Sequence, residues 1–130
     1  MGLYESGQMY LETIYILSKK SGCVRAIDVG EHLGYSKPSV SRAMGILKRD
    51  GYLTSDDTGC LKLTKLGYET AESVFTRHTI LSKFLAGLGV DEITATDDAC
   101  RIEHVISDKS FSAITDFVRS AEKKKGSIKR

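Results

Sequence analysis

The stretch from Ala26 to Leu63 constrains the fold more than any other part of the chain. It opens with "AIDVGEHLGYSKPSVSRAMGILKRDGYL" and runs on into "TSDDTGCLKL". Ile27, Val29 and Leu33 are expected to give a helix over Ala26 to Leu33 its buried side, with Gly34 closing it. Glycine tolerates the left-handed backbone that so tight a turn needs. A second helix is expected from about Ser36 to Arg49, with Pro38 acceptable in its first turn and Val40, Met44 and Leu47 facing the core. Two short strand-like pieces then flank an Asp-Asp-Thr-Gly turn, which is a hairpin signature. Helix, turn, helix and hairpin in this order make a winged helix-turn-helix.

That pattern leaves Ser36, Lys37, Pro38, Ser39, Ser41 and Arg42 at the exposed N-terminal end of the second helix. Small hydroxylated side chains there suit phosphates or base edges. Arg42 can fork onto a guanine, a contact worth ~1–3 kcal/mol of discrimination. Lys37, Arg42, Lys48 and Arg49 against Asp50 make the stretch locally basic, although the formal charge of the whole chain is only +2. Double-stranded DNA is therefore the expected partner, with Arg25 and Lys62 as further phosphate contacts. The bland alternative is a solvated helix in a partner-binding winged helix.

Around this module the chain reads as helical. Tyr10, Leu11, Ile14 and Leu17 place a helix between Leu3 and Lys20, and one long amphipathic helix is expected from Thr64 to about Leu88. Its stripe of Val74, His78, Leu81, Leu85 and Leu88 suits a partner helix. "GLGV" breaks it, and two more helices fit Thr94 to Ile106 and Ser107 to Ala121. The expected architecture is mainly α: a winged helix-turn-helix domain over residues 1–70, an all-helical domain over 71–122, and a basic solvated tail over 123–130.

A chain of 130 residues can bury one good core or two small modules, and 41% hydrophobic with 28% charged residues is ordinary for a globular protein. No apolar run is long enough for a bilayer, so no membrane partner is expected. "MGLYESGQMY" lacks the basic start and apolar stretch of a signal peptide, so a cytoplasmic location is expected. Three cysteines at irregular spacings do not make a disulfide framework. They are expected to be reduced, with Cys23 and Cys60 merely structural.

The segment "ACRIEHVIS", Ala99 to Ser107, gathers a thiol, a carboxylate and an imidazole. On a continuous helix Cys100, Glu103 and His104 share one narrow face, while Ile102, Val105 and Ile106 supply packing on the other side. Three uses suit such a face. A transition metal takes all three donor types. A catalytic thiol with His104 as base is possible in principle, though no Gly-rich oxyanion site accompanies it. A surface cluster without a role is the third. Elsewhere, His78 on the long helix reads as a core histidine or an extra ligand. Met9 and Glu12, one helical turn apart, read alone as packing and solvated residues.

The winged-helix segment, "FTRHTILSKFL" and above all "DDACRIEHVIS" resemble the diphtheria toxin repressor family of metal-dependent transcriptional repressors over nearly the whole chain. Met9, Cys100, Glu103 and His104 match the activating-metal ligands of its iron-responsive branch. The histidine matching His78 serves that branch in an ancillary site, whose further positions here are Ser82 and Thr96. Glu12 instead matches a ligand of the shorter, manganese-responsive branch, which pairs it with the histidine matching His78. That branch has an acidic residue at Met9 and a glutamate at Cys100. Ending soon after Ala121, as the manganese branch does, the chain is expected to be of the short form without the SH3-like domain of longer members.

The resemblance implies a homodimeric, metal-activated repressor of a palindromic operator, governing metal homeostasis genes, and not an enzyme. Soft sulfur donors at Met9 and Cys100 favour iron(II) over manganese(II), while cobalt(II), nickel(II) or zinc(II) would bind in vitro. Glu12 and His78, with Glu103, are candidates for a second metal. The rival readings are a winged-helix regulator with Cys100 as redox or small-molecule sensor, and a thiol enzyme using Cys100 and His104.

Overall fold

The computed structural model describes the backbone of residues 5–128 and the side chains of residues 6–123. Its elements in chain order are α1 (Glu5–Lys20), α2 (Ala26–Leu33), α3 (Lys37–Arg49), β1 (Leu53–Ser55), β2 (Leu61–Leu63), α4 (Lys65–Gly87), α5 (Glu92–Ile102) and α6 (Asp108–Ile128). The chain divides within α4 into one unit ending at Ser73 and a second starting at Val74. Among the described residues no helix is long and apolar enough to cross a membrane.

In the first unit the local signals decide the element ends. Gly34 takes the left-handed conformation (φ 75°) and its N–H caps Gly30 O, which closes α2. Ser36 then caps α3 by accepting the Ser39 N–H, with Pro38 in the first turn, where a missing N–H costs nothing. Val40, Met44 and Leu47 are buried as their spacing demands, alongside Leu11, Ile14, Val29 and Leu53. Ile27, expected on the buried side of α2, is instead 49% exposed. The helix packs through Val29 and Gly30, and Ile27, two positions before Val29, falls about 200° round the helix on the opposite side.

The wing is a two-stranded antiparallel hairpin with Leu53 opposite Leu63, Thr54 opposite Lys62 and Ser55 opposite Leu61. Its tip is organised by Asp56, whose carboxylate accepts the Thr58 N–H at 2.9 Å and the Cys60 N–H at 3.0 Å. Hydrogen bonds from Thr58 and Cys60 hold the Asp56 carboxyl below the usual aspartate range. The wing is tied back to the turn before α2 by the Leu61 N–H on Val24 O at 2.7 Å, and by the Arg25 guanidinium on Thr58 O.

The same junction carries a correction. Cys23 and Cys60, expected to be reduced, form a disulfide with their Cα atoms 5.1 Å apart, and Cys100 takes no part in a disulfide. Sequence spacing misses the pair because the two are 37 positions apart and meet only when β2 lies against the turn between α1 and α2.

The second unit is helical, as expected, but two boundaries differ. Expected to reach Ile106, α5 stops at Ile102. Ser107 then accepts the Ser110 N–H and begins a new helix, so local capping outcompetes continuation. The basic segment 123–130, expected to be a solvated tail, is α-helical as far as Ile128 because α6 runs straight into it. Phe84 on α4 meets Phe117 on α6 edge to face at 5.9 Å, and Lys83 pairs with Glu122 at 3.1 Å. Leu88, Ile93 and Phe117 remain more than half exposed.

Candidate metal centre and nucleic-acid interface

In the second unit, α5 ends on the residues that the motif singled out. Cys100 lies on its last turn, Glu103 is its C-cap and His104 follows in the turn towards α6. The expectation of one continuous helix face is thus corrected, and so is its packing logic. The supposed packing residue Val105 is 74% exposed, whereas Glu103 is 1% exposed and shares the buried side of α5 with Ala95 and Ala99. The polar trio is turned inward, because Ala95, Ala99 and Glu103 are spaced four apart and the small alanines let another element approach closely.

A carboxylate at that depth needs compensation. His78, from α4, supplies part of it: its Nδ1 lies 2.8 Å from Glu103 Oε1. The other oxygen, Oε2, lies 3.4 Å from His104 Nε2 and is buried with no hydrogen-bond partner among the described residues. A carboxylate oxygen in this state, beside an imidazole and one turn from the half-buried Cys100 thiol, fits the donor set of a divalent transition ion. The structure therefore brings His78, Glu103 and His104 together, with Cys100 one turn before Glu103 on α5.

One residue that sequence reasoning missed completes this end of the unit. Arg77 donates from Nη1 to the carbonyl oxygens of Glu103 at 3.3 Å and Ile106 at 2.9 Å, and from Nη2 to the Asp108 carboxylate. Its guanidinium lies 5.2 Å from the centre of the Phe111 ring. An arginine beside His78 carries no periodic signal, and its partners lie more than twenty positions away.

Met9 and Glu12 belong to the first unit, one turn apart on α1. Glu12 is buried, and the Met9 sulfur accepts a hydrogen bond from the Tyr35 hydroxyl at 3.5 Å. Tyr35 sits in the turn between α2 and α3 and meets Tyr10 edge to face at 5.9 Å. Burial and the neighbouring Tyr35 push the Tyr10 hydroxyl above its ordinary pKa. A candidate donor on α1 is thereby joined to the start of α3.

On the other side of that turn, Ser36, Lys37, Pro38, Ser39, Ser41 and Arg42 are all exposed, as is Lys62 on β2. Ser36 is partly committed, since its hydroxyl caps α3 and bonds the Ser39 hydroxyl at 3.0 Å. Arg25 is committed too, through its guanidinium on Thr58 O, so it shapes the wing as well as presenting charge.

Comparison with known proteins places this geometry. Residues 2–59 match the profile described as the iron-dependent repressor N-terminal DNA-binding domain, and residues 64–126 that of the iron-dependent repressor metal-binding and dimerisation domain. The HTH-type transcriptional regulator MntR of Lysinibacillus sphaericus (strain C3-41) is 33% identical over 93% of this chain and 87% of its own length. Among solved structures, a manganese-dependent transcriptional repressor in complex with manganese is 26% identical, with a TM-score of 0.79 over 86% of this chain. The manganese regulator SloR is 25% identical, with a TM-score of 0.78 over 92%. The chain spans about half the length of those two structures, 52% and 55%. A winged helix followed by a helical unit with a buried carboxylate between two imidazoles defines a metal-responsive regulator. The chain belongs to the iron-dependent repressor family of metal-dependent transcriptional repressors, which are not enzymes.

Proposed function

We propose that the chain acts in the cytoplasm as a homodimeric repressor that grips a palindromic operator when Met9, Cys100, Glu103 and His104 hold iron(II). The observation that carries this reading is Glu103: a buried carboxylate with one oxygen on His78 and the other, 3.4 Å from His104 Nε2, without a hydrogen-bond partner among the described residues. The ion would supply the positive charge that lets a thiolate and a carboxylate share a buried site. The chain's own residues do the rest. Glu103 is held by His78, Cys100 by the last turn of α5, and Met9 by Tyr35 at the head of the DNA-facing helix. Exposed Leu88, Ile93 and Phe117 support a subunit interface in the second unit. Lys37, Ser39, Ser41, Arg42 and Lys62, with Ser36, Pro38 and Arg25 shaping their surroundings, are the proposed DNA contacts.

Iron(II) is preferred on donor softness, since thioether and thiolate sulfur suit it better than manganese(II). Manganese is the second reading, favoured by the two solved relatives described as manganese regulators. Glu12 and His78 are the proposed additional donors for a second ion. An anaerobic DNA-shift assay under reducing conditions tests the reading. Operator binding should appear with iron(II) or manganese(II), vanish with chelator, and be lost in Cys100→Ala and Met9→Ala. Equal binding in chelator overturns metal activation. Full activation by manganese(II) with no response to iron(II) overturns the choice of metal alone.

A further inference from the structure

We propose that Arg77 is a positioning residue for the metal centre, fixing from α4 the turn on which Glu103 and His104 stand. This rests on the reading of Cys100, Glu103 and His104 as metal donors.

Arg77 and His78 are sequence neighbours on α4, and both grip the same residue. Arg77 Nη1 holds the Glu103 carbonyl oxygen at 3.3 Å, while His78 Nδ1 holds the Glu103 side chain at 2.8 Å. The final carbonyls of a helix lack intrahelical donors and carry partial negative charge, so a cation placed there is favourable. Here the same guanidinium also takes the Ile106 carbonyl at 2.9 Å and the carboxylate of Asp108 in the first turn of α6, with Phe111 from α6 beside it. One planar group thus joins α4, the turn and α6. The carbonyls of Glu103 and Ile106, on either side of His104, are thereby tied to one guanidinium.

The Arg77 side chain is only 17% exposed, so its bonds to the two carbonyls are made in a partly desolvated place, whereas Asp108 is 95% exposed and its pairing is screened by solvent. A lysine cannot reproduce them, because a single ammonium does not span two carbonyls and a carboxylate in one plane. Residues that orient metal ligands without touching the ion typically alter affinity by ~10–100-fold when removed.

The test is an anaerobic cobalt(II) titration of the full chain, wild type against Arg77→Met, Arg77→Lys and Cys100→Ser, read by the thiolate-to-cobalt charge-transfer and ligand-field bands. Circular dichroism and thermal melting of each metal-free protein accompany it. The expected result is a tenfold or greater rise in the cobalt(II) dissociation constant for Arg77→Lys and Arg77→Met. At saturating cobalt(II) both should also show altered bands, a change that simple destabilisation would not produce. If Arg77→Met fails to fold, Arg77→Lys decides by the same criteria. Dissociation constants within twofold and superimposable spectra overturn the positioning role while leaving the centre intact. A wild-type spectrum with no thiolate band, or one unchanged in Cys100→Ser, overturns the reading of the centre and the role of Arg77 with it.

Discussion

Breaking the Cys23–Cys60 bridge should cost the DNA-binding unit a large share of its stability. The bridge closes a loop with a sequence separation of 37, which encloses α2, α3, β1 and the tip of the wing. In the chain-entropy treatment a loop of that size restricts the unfolded state by about 4 kcal/mol, within the ~2–5 kcal/mol seen when native disulfides are removed. Small domains have only ~5–15 kcal/mol in total, so the loss would be readily measurable. The folded state keeps other ties at the same junction, namely Leu61 N–H on Val24 O at 2.7 Å and Arg25 on Thr58 O. Reduction should therefore lower stability without dismantling the wing. Equilibrium guanidinium unfolding of the metal-free protein, with and without reductant, measures the difference. The double variant Cys23→Ser/Cys60→Ser should match the reduced protein and ignore reductant. A thiol count in denaturant should give one group for the oxidised chain and all three cysteines after reduction. A stability change below about 1 kcal/mol, with the thiol count as expected, would refute the loop-entropy argument, since that account requires several times more.

Two further substitutions and one pH effect follow from single contacts. A methyl group at Gly67, on α4, would sit 2.0 Å from the Tyr52 carbonyl oxygen, whereas one at Gly45, on α3, meets nothing within 4 Å. Gly67→Ala should therefore destabilise by about 1–3 kcal/mol or more through overpacking against main chain, while Gly45→Ala should stabilise by about 0.4–1 kcal/mol. Chemical denaturation distinguishes the two, and a stabilised Gly67→Ala would contradict the close approach. At the start of α5, the Asp91 carboxylate accepts the Thr94 N–H at 3.0 Å. That bond, with help from the Thr94 side chain, holds its pKa below the ordinary value. Because the folded pKa is depressed, the contribution is whole above the unfolded value of about 3.9 and is lost as pH falls below it. Amide exchange in the first turn of α5 should accelerate, beyond the intrinsic pH dependence, as the solution is acidified through that window. In Asp91→Asn, which keeps the acceptor but does not titrate, that excess should be absent.

The outcome for α2, α3 and the hairpin shows how far local chemistry reaches. Gly34, Ser36, Pro38 and the Asp56 turn act within about four residues of themselves, so their effects on element ends are written in neighbouring letters and were legible there. The periodic burial of Val40, Met44 and Leu47 is legible for the same reason. "ACRIEHVIS" was legible as a cluster of donors, but not as a place. Periodicity put Val105 inward and left Glu103 on a surface face, and the structure reverses both. What decides the matter is Arg77 and His78, which reach Glu103 across 26 and 25 positions of sequence. The Cys23–Cys60 bridge spans 37. By itself, then, the sequence determined where helices begin and end in the winged helix and which side chains carry metal-donor atoms. Only the tertiary structure decided which carboxylate is buried, which guanidinium fixes it and which cysteines meet, because burial and pairing belong to contacts between distant segments.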